Sequence, residues 1–204
     1  MIEVEKSDAR WTIRLNRPEK ANSLTRAMLE DLVAAVEAAG AAEVPVLVLT
    51  GAGKVFSAGA DLEAARAGLA TDPLWERLSA ALAGLDALTI CALNGTLAGG
   101  AFGMALACDL RLTVPEATFF YPVMKLGFLP QPSDPGRLVA LLGPARAKLV
   151  LMGAARLTAE EALNFGLVER IVRPEGIEAA VDALAEAAQG ASSAQRAAIK
   201  AMCR

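Results

Sequence analysis

The chain has 204 residues, with 20 Lys and Arg against 23 Asp and Glu and no His, so its formal net charge is −3. This length fits one domain that can bury a full core without disulfides or metals. The absence of His excludes Ser-His-Asp and Cys-His triads, His-liganded metals and a His general base. The acidic balance argues against nucleic-acid binding, which needs clustered Lys and Arg.

The first 40 residues are predicted to form a strand pair followed by a helix. Residues 2–5 and 11–15 alternate apolar with polar side chains, as half-buried strands do. From 24 to 39 the apolar positions recur every three or four residues, which predicts a helix with one buried face. Gly40 is expected to end that helix, because glycine commonly follows the last helical residue.

The rest of the chain alternates predicted strands and helices. Residues 44–50 form a continuous apolar run, which suits a strand buried on both faces of a parallel sheet. Further strands are predicted at residues 88–93, 109–114 and 167–172. Helix signals lie between and after them: Asp72-Pro73, the Gly/Ala-rich segment from Gly100, the break at Gly143-Pro144, the capping box Thr158 to Glu161, and starts at Glu175 and Ser192. This alternation predicts an α/β fold.

The cysteines and the first residues bear on the compartment. Cys91, Cys108 and Cys203 lie far apart with no C-x-x-C spacing, which predicts no metal site. Their odd number favours a reducing cytoplasm over secretion. Residues 1–6 lack the basic and apolar regions of a signal peptide, and the apolar stretches elsewhere are too broken to predict a membrane span.

Two small-residue loops carry the chemistry that the sequence suggests. Residues 51–62 and 94–109 each begin just after a predicted buried strand, where ligands usually bind in open α/β sheets. Neither loop matches a phosphate loop or a dinucleotide fingerprint, since Lys54 is followed by Val55 and the later glycines lack G-x-G-x-x-G spacing. Two converging backbone N–H groups could form an oxyanion hole here. Glycines that serve only tight helix–sheet packing are an equally good interpretation from these residues alone.

The ordered motifs resemble the crotonase superfamily, also called the enoyl-CoA hydratase/isomerase family. The two loops are similar to the signature regions of that family. Leu15 to Leu24 resembles its early L-N-R-P…N-[AS]-L stretch, and Leu126 to Pro130 resembles its [LI]-G-[LIF]-x-P turn. Residues 143–147 and 157–168 resemble later family blocks. The resemblance covers nearly the whole chain, and the motifs occur in the family's order.

The resemblance implies a fold, a ligand and an assembly. The expected fold is a spiral of ββα units, with an acyl-CoA-binding core over residues 1–190. Residues 191–204 would be the start of a C-terminal helical region that is short for the family. The expected ligand is an acyl-CoA thioester in cytoplasmic fatty acid metabolism. Coenzyme A would enter with the substrate, so neither a separate cofactor nor a metal is expected. The expected assembly is a homotrimer or a dimer of trimers.

The resemblance also assigns site residues by alignment. The oxyanion-hole donors would be the backbone N–H groups of Ala60 and Gly100, which stabilise the enolate of a polarised thioester. Arg17, Lys20 or Lys54 would pair with coenzyme A phosphates, although exposed Lys and Arg are usually only solvated. The remaining residues expected to contact the substrate are Lys20, Ala21, Asn22, Ala58, Asp61, Leu62, Gly103 and Val123.

The chain departs from the family where acid–base chemistry is expected. Typical hydratases have two catalytic glutamates, and their positions are held here by Gly103 and Val123. A family subgroup has an Asp at the position of Gln131. Asp134 and Tyr121 are the candidate replacements. The favoured interpretation of Asp134 is a turn or cap before the next helix, and that of Tyr121 is core packing with its hydroxyl satisfied.

These features lead to an expected function with open alternatives. The expected protein is an enoyl-CoA hydratase/isomerase-like enzyme that stabilises a thioester enolate in an oxyanion hole. One alternative is a decarboxylase or thioesterase of the same family, because decarboxylation needs little beyond enolate stabilisation and a proton donor. A second alternative is a protein that binds acyl-CoA without turnover.

Overall fold

The computed structural model describes residues 1–203, and these form an α/β structure with two sheets. The strands are β1 Ile2–Lys6, β2 Trp11–Leu15, β3 Val46–Gly51, β4 Val55–Ser57, β5 Leu88–Leu93, β6 Thr96–Ala98, β7 Leu110–Thr113, β8 Thr118–Phe120, β9 Arg156–Thr158 and β10 Arg170–Ile171. The large sheet has the order β1-β2-β3-β5-β7-β10 and the small sheet the order β4-β6-β8-β9. The α/β prediction is therefore confirmed.

Ten α-helices connect and cover the strands of this described part of the chain. They are α1 Arg26–Ala41, α2 Leu62–Arg66, α3 Leu74–Gly84, α4 Phe102–Ala107, α5 Val123–Leu126, α6 Asp134–Leu142, α7 Pro144–Leu151, α8 Ala159–Phe165, α9 Ile177–Gly190 and α10 Ser193–Met202. A 3₁₀ turn, Gly99–Ala101, leads directly into α4. Among residues 1–203, no helix is both long and apolar enough to cross a membrane.

Successive strand pairs divide between the two sheets. β3, β5 and β7 lie in the large sheet, and β4, β6 and β8 follow each of them into the small sheet. The strands of both triplets are parallel. Each pair is followed by a helical segment, which gives the spiral of ββα units that the resemblance implied. The two small-residue loops begin at the turns after β3 and β5 and continue past β4 and β6. Because β4 and β6 are neighbours in the small sheet, the two loops lie side by side.

The large sheet is buried on both faces, as the apolar run of β3 predicted. Leu47 and Leu49 point into the main core, while Val46 and Val48 point to the opposite face. Helix α9 covers that opposite face. The first four residues of the strand are therefore all apolar, and the buried Thr50 that follows satisfies its hydroxyl by donating to the Ala92 carbonyl at 2.9 Å.

Three sequence expectations at element ends need correction. Gly40 does not end α1, which continues to Ala41. A Cβ at Gly40 would lie 2.9 Å from a Leu85 methyl carbon, so close helix packing explains the glycine. Helix α3 begins at Leu74, with Pro73 rather than Asp72 in the cap position, although Asp72 still accepts a hydrogen bond from the Leu74 N–H at 2.9 Å. The last predicted strand shrinks to β10.

Other local signals are confirmed. Gly143 separates α6 from α7. The capping box of α8 is present, with Thr158 Oγ1 accepting from the Glu161 N–H at 3.1 Å and Glu161 accepting from the Thr158 N–H at 2.9 Å. In the expected C-terminal region, α10 is tied to the core by Lys200, which pairs with Asp109 at 2.8 Å. Arg204, the last residue of that region, lies outside the described residues.

Candidate active site

The first candidate oxyanion loop is held in place by an earlier segment of the chain. Asn22 is fully buried, and its side-chain amide donates to the carbonyl oxygens of Ala52 (2.9 Å) and Val55 (2.7 Å). Its Oδ1 accepts from the Arg17 N–H at 2.8 Å. The Asn22 side chain therefore fastens two segments together, and its amide is already committed to that structural role.

A second set of bonds extends this attachment to Ala60. The Ala58 N–H donates to the Ala21 carbonyl at 3.0 Å, so these two expected groove residues are neighbours. The Leu24 N–H donates to the Gly59 carbonyl at 2.7 Å, and the Asp61 N–H donates to the Leu24 carbonyl at 2.9 Å. These hydrogen bonds to Leu24 use Gly59 and Asp61, the residues on either side of Ala60, and do not use the Ala60 N–H.

The two expected oxyanion loops touch each other. Gly59 has φ +88°, and a Cβ there would lie 2.8 Å from the Ala98 carbonyl oxygen and 3.2 Å from the Gly100 nitrogen. Gly100 is the middle residue of the 3₁₀ turn before α4, where the first N–H groups have no partner within the helix. Ala60 and Gly100 are both partly exposed. The structure thus brings together the two loops that carry the expected donors.

The ring of Trp75 covers Gly100. A Cβ at Gly100 would lie 3.3 Å from two ring carbons of Trp75. The Trp75 indole N–H donates to the Leu69 carbonyl at 2.8 Å, which fixes the orientation of the ring. A side chain at position 100 would therefore press against the indole, and glycine avoids this tight contact.

Asp61 and Arg17 form an ion pair beside this loop. Arg17 Nη1 lies 2.8 Å from Asp61 Oδ2, and Asp61 Oδ1 caps α2 by accepting from the N–H groups of Glu63 and Ala64. The hydrogen bond from Arg17 holds the pKa of Asp61 below its usual value. Lys20, three residues after Arg17, is exposed. Leu62, directly after Asp61, is 76% exposed. Of the expected phosphate-pairing cations, Arg17 is thus already paired.

Side chains from two other helices lie against Gly103, where the sequence comparison expected a glutamate in typical hydratases. Gly103 lies on α4 and is buried. A Cβ there would lie 2.8 Å from Ser79 Oγ and 3.1 Å from Asp134 Oδ1. The Asp134 carboxyl therefore lies against the α-carbon whose side chain would be the glutamate in a typical hydratase.

Asp134 and Tyr121 form a buried hydrogen-bonded pair. The Tyr121 hydroxyl donates to Asp134 Oδ2 at 2.9 Å and accepts from the Gln131 N–H at 3.3 Å. The side chains are 0% and 2% exposed for Asp134 and Tyr121. Ser133 holds the cap position of α6, and Asp134 is the first helical residue. The Asp134 carboxylate accepts no hydrogen bond from a backbone N–H of α6. The favoured interpretation of Asp134 as a helix cap is therefore wrong.

The packing interpretation of Tyr121 agrees with the structure but is incomplete. Its ring stacks on Phe102 with centroids 5.2 Å apart, and its hydroxyl is satisfied. Val123, the other expected substrate contact of this segment, is buried two residues further along the chain. The phenol is thus part of the core and also binds the Asp134 carboxyl.

Burial controls the protonation of this pair. Burial raises the pKa of Asp134 from its usual 3.8 to about 7, against the hydrogen bond from Tyr121 and the positive charge of Arg137, which lower it. The negative charge of Glu76 raises it further. Burial and the neighbouring Asp134 also raise the pKa of Tyr121. Near neutral pH the carboxyl is accordingly balanced between its two forms, which suits proton transfer.

Polar atoms without partners gather around the same carboxyl. Within residues 1–203, the buried side-chain oxygen and nitrogen atoms that lack a hydrogen bond include Ser79 Oγ, Asp134 Oδ1 and Arg137 Nη1. Ser79 is 1% exposed. Buried polar groups are nearly always paired, so a cluster of unpaired ones marks a place of strain or chemistry.

Sequence reasoning missed the contribution of α3 to this site. Trp75, Glu76 and Ser79 share one face of that helix at spacings of three and four residues. Their contacts are with Gly100, Ser133 and Gly103, respectively. The spacing was visible in the sequence, but it gave no sign of which loops the helix would meet.

A cavity lies away from these residues, near the C-terminal helices. A groove of about 780 Å³ opens near the far end of α4, between α6, α9 and α10. Its walls include Leu106, Arg137, Leu184, Arg196 and Ile199. None of the expected catalytic or substrate-binding residues lines it. This groove is therefore separate from the candidate site.

Comparison with known families agrees with this geometry. The family model described as enoyl-CoA hydratase/isomerase matches residues 5–204. The chain belongs to that family. It is also called the crotonase superfamily, and it is a family of enzymes.

Individual relatives of the family are similar over most of the chain. The Mycobacterium tuberculosis protein named "Probable enoyl-CoA hydratase echA6" is 38% identical over 172 residues, which are 84% of this chain and 70% of that protein. The 4-chlorobenzoyl coenzyme A dehalogenase-1 of Arthrobacter sp. is 37% identical over 180 residues, 83% of this chain and 65% of the relative. The crystal structure of an enoyl-CoA hydratase from Bacillus anthracis superposes with a TM-score of 0.90 at 32% identity, covering 98% of this chain and 80% of that one.

Proposed function

We propose that this chain is an acyl-CoA enzyme that stabilises the enolate of a thioester, with Asp134 as its proton-transfer group. The observation that carries the proposal is the position of Asp134. Its carboxyl lies where the Gly103 side chain would be, 3.1 Å from the ideal Cβ site. The acid missing from α4 is thus supplied by α6.

The backbone donors support the thioester part of the proposal. The loops of Ala60 and Gly100 meet, and a Cβ at Gly59 would lie 3.2 Å from the Gly100 nitrogen. Donors fixed in this way stabilise negative charge on a carbonyl oxygen without reorganising during the reaction. The relatives named for enoyl-CoA and chlorobenzoyl-CoA chemistry support a coenzyme A thioester as the substrate.

The Asp134–Tyr121 pair supports the proton-transfer part. A carboxyl with a pKa of about 7 can both give and take a proton at neutral pH. Asp134 Oδ2 is held by the Tyr121 hydroxyl, while Oδ1 faces Gly103 without a hydrogen bond. We assign proton delivery or removal at the substrate carbon to Asp134 Oδ1, and orientation of the carboxyl to Tyr121.

A second candidate function is acyl-CoA binding without turnover. The observation that favours it is the complete burial of the acid, since Asp134 is 0% exposed and the neighbouring Ser79 is 1% exposed. The oxyanion donors would then hold the thioester carbonyl while no acid reaches the acyl carbons. Decarboxylation or hydrolysis of the thioester is the remaining chemistry within the first proposal.

The proposal extends to the cellular setting, the assembly and the coenzyme A groove. The proposed setting is cytoplasmic fatty acid metabolism, in a homotrimer or dimer of trimers. The substrate would bring its own coenzyme A, with no further cofactor. Lys20, Ala21, Ala58 and Leu62 would border the coenzyme A groove, whereas Asn22 and Asp61 would shape it through the bonds described above.

The test measures binding beside turnover. The protein is mixed with crotonyl-CoA and with a malonyl-type CoA ester, and each ester is followed by calorimetry and by chromatography of products. We expect binding together with product from at least one ester. Binding with no product from either ester would instead support the second candidate.

Asp134→Asn is the variant that tests the acid. It keeps the size of the side chain and an acceptor for Tyr121 but cannot exchange a proton. We expect turnover to fall by about 10²-fold with ester binding little changed. The matched control is Asp31→Asn on the exposed face of α1. Equal turnover in Asp134→Asn and in the control would remove Asp134 from the mechanism.

A further inference from the structure

Helix α3 contacts both halves of the candidate site. Trp75 lies over Gly100, at the oxyanion loop, and Ser79 lies against Gly103. Between these two, Glu76 turns to the start of α6. A single helix thus meets the thioester donors, the missing-glutamate position and the element that carries Asp134.

Glu76 forms the cap of α6 from a different helix. Its Oε2 accepts from the Ser133 N–H at 3.2 Å and from the Ser133 hydroxyl at 3.0 Å. Ser133 occupies the cap position of α6, and its own side chain makes no capping bond within that helix. The start of α6 is therefore fixed by the Glu76 carboxylate, across 57 positions of sequence.

The attachment acts on the very next residue. Asp134 follows Ser133 directly, and its carboxyl must reach the Gly103 α-carbon and the Tyr121 hydroxyl at once. A small rotation of the first turn of α6 would withdraw the carboxyl from both. Misplacement of a catalytic group by about 1 Å can cost about 10²-fold in rate.

We propose that Glu76 is the positioning residue of Asp134. By accepting both hydrogen bonds from Ser133, it sets the first turn of α6 and holds the Asp134 carboxyl over Gly103. This role rests on the proposed function only for its effect on turnover. The geometric effect on Asp134 and Tyr121 is independent of any substrate.

The charged and titratable groups that face Asp134 are few. Tyr121 faces it from the end of β8, Arg137 from α6 itself and Glu76 from α3. Helix α4 meets it with Gly103. A change in the titration of Asp134 on substitution of Glu76 therefore has few competing origins among the described residues.

The single tyrosine of the chain makes a direct test possible. Tyr121 is the one tyrosine in the sequence, so protein made with ¹³Cζ-labelled tyrosine gives one signal. Because its hydroxyl donates to Asp134, this signal moves when the carboxyl ionises. In the unsubstituted chain we expect a step with a midpoint near pH 7.

Two variants separate the hydrogen bonds of Glu76 from its charge. Glu76→Gln keeps an oxygen that accepts from Ser133, whereas Glu76→Ala keeps none. Both remove a negative charge, which should lower the midpoint of the step in Glu76→Gln. In Glu76→Ala the loss of the Tyr121 bond opposes this fall, because that bond itself lowers the pKa of Asp134. Only Glu76→Ala should also shrink the step, because the carboxyl then leaves the Tyr121 hydroxyl. The exposed Glu160→Gln is the control and should match the unsubstituted chain.

Turnover gives the second measurement. On an ester that the unsubstituted chain converts, Glu76→Ala should lower kcat by about tenfold, and Glu76→Gln should restore most of it. An unchanged step and midpoint in Glu76→Ala, or identical steps in Glu76→Ala and Glu76→Gln, would overturn the positioning role. If no ester is converted by any variant while the steps differ as expected, the proposed function fails and the positioning role stands.

Discussion

The two expected oxyanion loops and the acid cluster differ in the groups that they offer to a substrate. The loops of Ala60 and Gly100 offer backbone N–H groups at partly exposed positions. The cluster of Asp134, Tyr121 and Ser79 offers side chains, each at most 2% exposed. The first region is exposed backbone, while the second is buried side chain.

The difference follows from what each group requires. A backbone N–H is present in every residue except proline, so a loop needs only the correct path and small side chains. An acid needs a particular side chain, but that side chain can come from any element that reaches the same place. Here the carboxyl reaches the Gly103 α-carbon from α6 rather than α4. Donors of the first type are therefore easier to recognise in a sequence than acids of the second.

The largest expected effect concerns the buried carboxyl and pH. The pKa of Asp134 is raised from 3.8 to about 7, so between these values the folded chain binds more protons than the unfolded chain. Its contribution to stability is fully present below about pH 4 and is lost as the pH rises through about 7. The loss is about 4 kcal/mol. Asp134→Asn should abolish this pH dependence.

Urea unfolding of both proteins at pH 4.5 and pH 8 measures this effect. The unfolding free energy of the unsubstituted chain should fall relative to Asp134→Asn as the pH rises. Comparing the two proteins cancels the titration of the other groups. If both proteins lost the same unfolding free energy between the two pH values, Asp134 would ionise as an exposed carboxyl does. The acid cluster would then not differ from the loops in its burial.

Gly100→Pro tests the loop side of the comparison. Proline removes the N–H and is tolerated in the first turn of a helix. Loss of one oxyanion donor costs about 3 kcal/mol in activation free energy, which is about 10²-fold or more in kcat. Gly100→Ala is the control, because it keeps the N–H and places its Cβ 3.3 Å from the Trp75 ring. Equal turnover in the proline and alanine variants would exclude the Gly100 N–H from the reaction.

Gly103→Glu tests whether the cluster has really filled the vacant position. The new side chain would meet Ser79 Oγ at 2.8 Å and Asp134 Oδ1 at 3.1 Å from its Cβ. We expect overpacking to lower the unfolding free energy by about 2 kcal/mol. Adding Asp134→Gly should recover much of that loss, as thermal unfolding would show. A double variant less stable than the sum of the single changes would contradict the shared space.

Tyr121→Phe should have the smallest effect. The ring can still stack on Phe102, so only the bonds of the hydroxyl are lost, to Asp134 at 2.9 Å and from the Gln131 N–H at 3.3 Å, at a cost of about 1 kcal/mol. The bond to Asp134 lowers the pKa of that carboxyl, so its removal should move the acidic limb of the pH–rate profile upward. An unmoved profile would show that the phenol does not act on the carboxyl.

Most of the fold followed from local patterns. The continuous apolar run of β3 predicted a strand covered on both faces, and Thr158 to Glu161 predicted the start of α8. The three-residue strands β4, β6, β8 and β9 were missed because so short a segment shows no period. Gly40 misled because a glycine that permits close packing against Leu85 looks the same in sequence as one that ends a helix.

The candidate site was only half predictable. Ala60 and Gly100 were assigned from motifs, and the structure brings their loops together. Asp134 and Tyr121 were named as separate candidates, but their hydrogen bond joins residues 13 positions apart through tertiary packing. Glu76 and Ser79 carried no motif, since their partners on α6 and α4 are set only when the helices pack. Local signals cannot encode such contacts.

The filled space at Gly103 has an evolutionary consequence. The effect of a glutamate at this position depends on whether an aspartate is present at 134, so the two sites are epistatic. A chain that acquired a glutamate at 103 would be more stable if residue 134 became small first, and Ser79 Oγ, 2.8 Å from the Cβ site, would have to shift as well. The opposite order would pass through a crowded, less stable intermediate. A sequence alignment read one position at a time would treat the substitutions at 103 and 134 as independent. The packing of the two side chains instead makes the effect of each depend on the other.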